Sequence, residues 1–160
     1  MANVHILIAY ASKFGCTAKC ARVLKEKLKE AEVTVVDLSN GHPDNLAKYD
    51  AIVVGGPVYA GKLLAPVQKF CEENEDTLGA KRLALFLCCG DGGRYEAYLN
   101  DCFGQRLREH AVACEHFGYE YHMEKMGFIF RTVVRLVARV KHSESHILES
   151  NIARLAGKLL

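Results

Sequence analysis

Ser12-Lys13-Phe14-Gly15-Cys16-Thr17 holds the residue types that could bind an anion. An apolar run, Val4 to Tyr10, precedes it, and a helix-patterned segment from about Thr17 to Ala31 follows. At a strand–turn–helix junction the first N–H groups of the helix have no intrahelical partner and point into the turn. The hydroxyls of Ser12 and Thr17 add donors, and Gly15 lets the backbone come close to a ligand. The turn lacks the Lys of G-x-x-x-x-G-K-[ST] and the spaced glycines of G-x-G-x-x-G, so neither of those phosphate loops is present. What remains suits a single monophosphate. The alternative is a plain strand-to-helix turn with a Thr cap.

Two further stretches carry chemistry. Gly55-Gly56-Pro57-Val58-Tyr59-Ala60-Gly61 sets one aromatic ring in a Gly- and Pro-fixed loop. A flat ring there can stack on a flat ligand, or simply cap a sheet edge. Cys88-Cys89-Gly90-Asp91-Gly92-Gly93-Arg94-Tyr95 has glycines that permit close backbone approach. In it, Asp91 is either a ligand to polar ring or sugar groups or a turn residue, and Tyr95 is a candidate for a second covering ring.

The elements that position these stretches follow from hydrophobic periodicity. Strands are expected at 4–10, 33–38, 49–55 and 82–88, and within 113–122. Helices are expected at about 17–31, 65–76 (with Pro66 in its first turn) and 95–110. A longer one is expected at about 124–140. A last helix, capped within Ser143-Glu144-Ser145-His146, runs to about Lys158. Strands alternating with helices make an α/β fold with a parallel sheet. Right-handed crossovers bring the C-terminal ends of the strands to one edge, where ligands bind. The loops after the first, third and fourth strands are the three stretches above. The connection at 39–46 has ordinary turn composition.

At 160 residues, with half the chain apolar and a quarter charged, one globular domain is expected over 1–160. A formal net charge of +2 is too small to indicate nucleic acid. Met1-Ala2-Asn3 has no basic leader, and the apolar runs are too short to span a bilayer, so a cytoplasmic location is expected. Seven cysteines without C-x-x-C spacing argue for reduced thiols and against a zinc site. Cys16 and Cys20 lie one helical turn apart with no second ligand pair in view, so no metal is expected. Cys16 sits where a helix N-terminus favours a thiolate. The acidic cluster of a response regulator and the G-x-S-x-G of a serine hydrolase are both absent.

Together the turn Ser12-x-x-Gly15-x-Thr17, the Gly55–Gly61 loop and the Cys89–Tyr95 loop resemble the FMN site of the flavodoxin family over essentially the whole chain. The resemblance implies a doubly wound five-stranded parallel sheet, order 2-1-3-4-5, with helices on both faces. It also implies FMN bound by Ser12, Lys13, Phe14, Gly15, Cys16 and Thr17, by Pro57, Val58, Tyr59, Ala60 and Gly61, and by Cys89, Gly90, Asp91, Gly92, Gly93 and Tyr95. Phe14 departs from the family pattern, in which a hydroxyl residue is common. More narrowly, Tyr59-Ala60-Gly61 and the tail are similar to the menaquinone-dependent protoporphyrinogen oxidase branch. That tail reads Tyr119-Glu120-Tyr121-His122, then Met126–Val140, a polar linker, and Ile147–Leu159. That branch carries a longer, basic loop after the fourth strand, whereas Gly90-Asp91-Gly92-Gly93 is short and bears an acid. The resemblance implies an oxidoreductase with a quinone or another redox partner. The alternatives are an electron carrier without its own substrate and a flavin-free interaction module. No side chain stands out as a catalytic acid or base, His122 being the one candidate.

Arg131, Arg135 and Arg139 recur every four residues opposite an apolar face of Phe128, Ile129, Val133, Leu136, Val137 and Val140. A basic amphipathic helix of this kind can lie on an anionic membrane surface or meet an acidic partner. Otherwise it packs on the sheet with a solvated Arg face.

Overall fold

The computed structural model describes residues 3–90, 92–121, 127–137 and 144–160. Strand β1 (His5–Tyr10) leads into α1 (Cys16–Lys27), β2 (Glu32–Asp37), β3 (Ala51–Tyr59) and β4 (Lys62–Leu63). Helices α2 (Ala65–Glu73) and α3 (Glu75–Leu78), strand β5 (Arg82–Cys88), helices α4 (Tyr95–Cys102) and α5 (Gln105–His110), and β6 (Ala113–His116) follow. The chain ends with β7 (Gly118–Tyr121), α6 (Phe128–Val137), β8 (Glu144–Ile147) and α7 (Glu149–Leu159).

The main sheet runs β2-β1-β3-β5-β6. All four of these pairings are parallel. This is the expected order, shifted in numbering only because β4 intervenes; β4 pairs antiparallel with β3 off the main path. Strand parity divides the interior. Leu7, Ala9, Ile52, Val54, Leu83, Leu85 and Leu87 share one core with Val67 and Phe70 of α2, Leu99 of α4 and Leu107 of α5. Ile6, Ile8, Val53, Ala84, Phe86 and Cys88 share the other with Cys20 and Leu24 of α1 and Ile152 and Leu155 of α7. Successive residues of a strand point to opposite faces, so a strand covered on both sides must be apolar throughout.

Several expectations change, among them the helix at 65–76, which breaks at Asn74 into α2 and α3. The third strand does not stop at Gly55 but continues to Tyr59. The helix expected over 95–110 is two helices, because Phe103 and Gly104 adopt extended backbone between them. Leu99, Phe103 and Leu107 are all buried at helical spacing, so the periodicity reads straight through that break. The fifth strand ends at His116, and the chain bends into a separate two-stranded sheet, β7 with β8. Gly118, at φ 91°, makes the bend, and a Cβ there would lie 2.0 Å from the His146 carbonyl oxygen. Residues 144–147 therefore form β8 rather than a helix cap, and the last helix begins at Glu149 without a side-chain cap. The extra helix is present as α6; the expected ends at 124–126 and 138–140 lie outside the described residues.

Candidate functional site

The turn after β1 is held from within. Ser12 Oγ accepts the Gly15 N–H at 3.1 Å. Gly15, at φ 99°, occupies the left-handed region that favours glycine and turns the chain into α1. No side chain caps this helix. Its first internal bond is Lys19 N–H to the Gly15 carbonyl, so the N–H groups ahead of Lys19 fall to the turn itself. Thr17 is 1% exposed, and its Oγ1 is buried with no hydrogen-bond partner among the described residues. An unsatisfied buried hydroxyl costs about 1–3 kcal/mol. A phosphate oxygen in the turn would supply the missing partner, so the residues present fit a phosphate-bearing group.

Phe14, where the resemblance implies a hydroxyl, makes a different contact. Its ring meets Tyr59 edge-on, 5.7 Å between centroids at 79°. Lys13 Nζ lies 5.8 Å from the Phe14 centroid. The contact ties the first loop to the third-strand loop.

That second loop is a tight β-hairpin. Val58 pairs with Leu63 and Tyr59 with Lys62. The two residues between them, Ala60 (φ 51°) and Gly61 (φ 76°), both have positive φ, as a two-residue hairpin turn requires. Tyr59 is half-buried beside that turn, and Pro57 is buried. Gly56, expected in the loop, is a strand residue like Gly55, and both make room for the core. A Cβ on Gly55 would lie 2.3 Å from the Phe86 ring, and one on Gly56 would lie 2.9 Å from Val67 Cγ2.

In the third loop, Cys89 is buried and its N–H donates to the Gly118 carbonyl at 3.0 Å. Gly90, Gly92 and Gly93 are exposed; Asp91 lies outside the described residues, as does His122. Tyr95 stacks on His116, 5.4 Å between centroids at 19°. His116 Nε2 lies 2.8 Å from the Cys89 carbonyl oxygen. Burial pushes the Tyr95 hydroxyl above the usual phenol range, so it stays protonated, and it has no partner among the described residues. His116 and Tyr98 join this edge without having been picked out in the sequence. Tyr98 Cε1 lies 4.0 Å from the position of a Cβ on Gly61, and the Arg94 guanidinium lies 5.3 Å from its ring centroid. The available signals were that Tyr98 follows Tyr95 by one helical turn and that His116 ends a parallel strand.

Beneath the turn lies a second cluster. Cys16 and Cys20 on α1 meet Cys88 on β5, with all three sulfurs within 4.8 Å of one another. The Cys88 thiol donates to Cys20 Sγ at 3.9 Å. Hydrogen bonding with Cys20 and Cys88 holds Cys16 well below the usual thiol range, while contact with Cys16 and burial push Cys20 and Cys88 up. Alongside, Glu120 of β7, its side chain 5% exposed, pairs with Lys19 at 3.0 Å and accepts from Ser145 Oγ at 2.7 Å. A 440 Å³ cleft lined by Lys19, Val23 and residues 145–149 includes none of the three loops.

Comparison with known proteins bears on the family and the fold. The flavodoxin domain matches residues 7–147. Among solved structures, oxidised flavodoxin 2 from Bacillus cereus is 23% identical, covers 98% of this chain and 100% of its own, and superposes with a TM-score of 0.63. Two-electron reduced flavodoxin from Megasphaera elsdenii is 19% identical, with 96% and 98% coverage and a TM-score of 0.61. Rubredoxin oxygen:oxidoreductase from Desulfovibrio gigas is 18% identical at a TM-score of 0.57; 97% of this chain matches only 37% of that longer protein. At these identities the likeness is one of fold. No curated protein matches the sequence significantly.

Proposed function

The chain belongs to the flavodoxin domain family, and from that premise we propose that it binds FMN in the turn of residues 12–17 and acts as a flavin-dependent redox protein. The observation that carries this reading is the buried, partnerless Thr17 Oγ1 at the head of α1. Ser12, Lys13, Gly15, Cys16 and Thr17 would hold the phosphate through the α1 N–H groups and two hydroxyls. Phe14 would brace Tyr59, and Tyr59 would stack on the ring. The Ala60-Gly61 turn and the Cys89–Gly93 stretch would meet its polar edges, with Tyr95 behind them. Bound FMN supplies transfer of one or two electrons; the protein's part is to bind, orient and shield.

For the reaction itself we favour an oxidoreductase like the quinone-linked protoporphyrinogen dehydrogenases, passing electrons to a quinone or another redox partner at a membrane surface. Support comes from α6, where Phe128, Ile129 and Leu136 are 82%, 76% and 75% exposed beside Arg135. No helix among the described residues is long and apolar enough to cross a membrane, so contact through α6 would be peripheral. Arg131 would share in it; Arg139 lies outside the described residues. The short Gly90–Gly93 loop favours a second reading, an electron-transfer flavodoxin with no substrate of its own.

Reconstitution tests the premise first: the purified chain should take up one FMN and turn yellow, and failure to bind would sink both readings. Protoporphyrinogen with a menaquinone analogue then separates them. Turnover above background supports the dehydrogenase. Electron exchange with a flavodoxin reductase and no turnover supports the carrier.

A further inference from the structure

We propose that Cys16, Cys20 and Cys88 form a binding site for a soft, thiophilic cation, Cu(I), held by three sulfurs. The fold itself assembles this group. Cys16 and Cys20 are four residues apart on α1 and so lie on one side of it. Cys88 has the same strand parity as Ala84 and Phe86, so it points at that side from β5.

Spacing suits three-coordination. A cation about 2.3 Å from each of three coplanar sulfurs sets them about 4.0 Å apart. Cys20 and Cys88 are already 3.9 Å apart, and no sulfur pair exceeds 4.8 Å. All three residues are buried, at 7%, 0% and 4% exposure, in a core that includes Phe86 and Phe117. No His, Asp, Glu or fourth Cys joins the group among the described residues. A structural zinc site wants four ligands, and hard cations want oxygen, whereas a dry three-sulfur site selects Cu(I). Each cysteine that ligates the ion gives up its thiol proton to solvent, so binding weakens as pH falls. Cys16, at the head of α1 beside Gly15, is the most exposed of the three and marks the way in.

The full chain, with its thiols reduced and kept under anaerobic conditions, should be titrated with Cu(I) against a chromophoric Cu(I) chelator. One equivalent is expected to bind. Cys20→Ser and Cys88→Ser should each weaken it by more than about tenfold, at least the loss seen when even an outer partner of a metal site is removed. Cys71→Ser and Cys114→Ser should leave it unchanged. Unchanged affinity in both Cys20→Ser and Cys88→Ser would overturn the site. X-ray absorption on the loaded wild-type chain decides the question without any variant. Three sulfur neighbours support the site, and two sulfurs or an oxygen–nitrogen shell reject it. Displacement of bound Cu(I) by excess Zn(II) would overturn the choice of ion.

Discussion

The parallel sheet and the excursion between β7 and β8 use similar apolar residues with opposite results. In β3 and β5 the apolar residues are sealed: Ile52, Val53 and Val54, and Leu83 through Leu87, are all at 0% exposure. In α6, Phe128, Ile129 and Leu136 stand at 75–82% exposure. The sheet strands are sealed because neighbours pair their backbones and helices cover both faces. The described part of α6 leaves these three side chains in solvent. Apolar composition therefore reports burial only where the topology supplies a cover, and an uncovered apolar face directs attention to what lies outside the fold.

The largest expected effect tests the sealed side. Phe86 is fully buried and stacks on Phe117, 4.3 Å between centroids. Phe86→Ala should cost about 3–5 kcal/mol in urea denaturation. Gly55→Ala forces a Cβ into the same ring and should cost about 1–3 kcal/mol. In the Phe86→Ala background that second penalty should largely vanish, because the ring it strikes is gone. Additive losses would show that Gly55 serves the backbone and not the packing of β3 against Phe86.

Thr17→Val probes the point where the sealed core meets the turn. The change keeps the shape and removes the hydroxyl. In the flavin-free protein, stability should hold or rise, since a buried unsatisfied group is lost. FMN affinity should fall by about 1.5–3 kcal/mol, the worth of a hydrogen bond to a charged group. Calorimetric titration with FMN and thermal melts of the apo form read the two arms separately. Equal destabilisation of the apo protein with unchanged affinity would make Thr17 a simple helix-start residue.

Much of the sealed half was legible because burial on two faces writes itself as continuous apolar runs: Arg82 to Cys88 was read to its last residue. The Ser12–Thr17 turn was legible from residue types at a strand–helix junction. What failed had physical reasons. Gly56 read as loop because glycine signals turns, yet here it clears space for Val67. Residues 143–146 read as a helix cap because Ser favours caps, while the pairing of 144–147 with β7 depends on a partner more than twenty residues away. Cys88 was invisible as a companion of Cys16 and Cys20 because their meeting depends on strand parity and on which face α1 covers.

An effect confined to alkaline pH comes from a thiol inside the sealed half. Burial pushes Cys71 up to about 12 from 9.0, so the folded chain keeps its proton where the unfolded chain would lose it. Its contribution to stability is therefore complete below about pH 9 and is lost as pH rises towards 12. The slope is about 1.4 kcal/mol per pH unit within that window. Stability curves of wild type and Cys71→Ala should converge by that slope above pH 9. Parallel curves would mean that Cys71 titrates in the folded chain as it does unfolded.

The smallest expected effect on stability is the most telling for the open side. Phe128→Gln, Ile129→Gln and Leu136→Gln keep good helix formers or better at exposed positions, so each should change unfolding free energy by no more than about 0.5 kcal/mol. On a membrane the balance differs. Each of these side chains would contribute about 1.5–3 kcal/mol on leaving water, and each nearby Arg about 1 kcal/mol on an anionic surface. Co-sedimentation with anionic vesicles should therefore retain the wild-type chain and lose the triple Gln variant, and wild-type binding should weaken with salt more steeply than that of an Arg135→Gln variant. A triple variant that loses core stability instead would place the α6 face against the body of the protein, and the contrast between the two regions would collapse. Full stability with vesicle binding unchanged would leave the contrast intact but take the membrane away as the reason for it, and a protein redox partner would then be the occupant to test against the same three side chains.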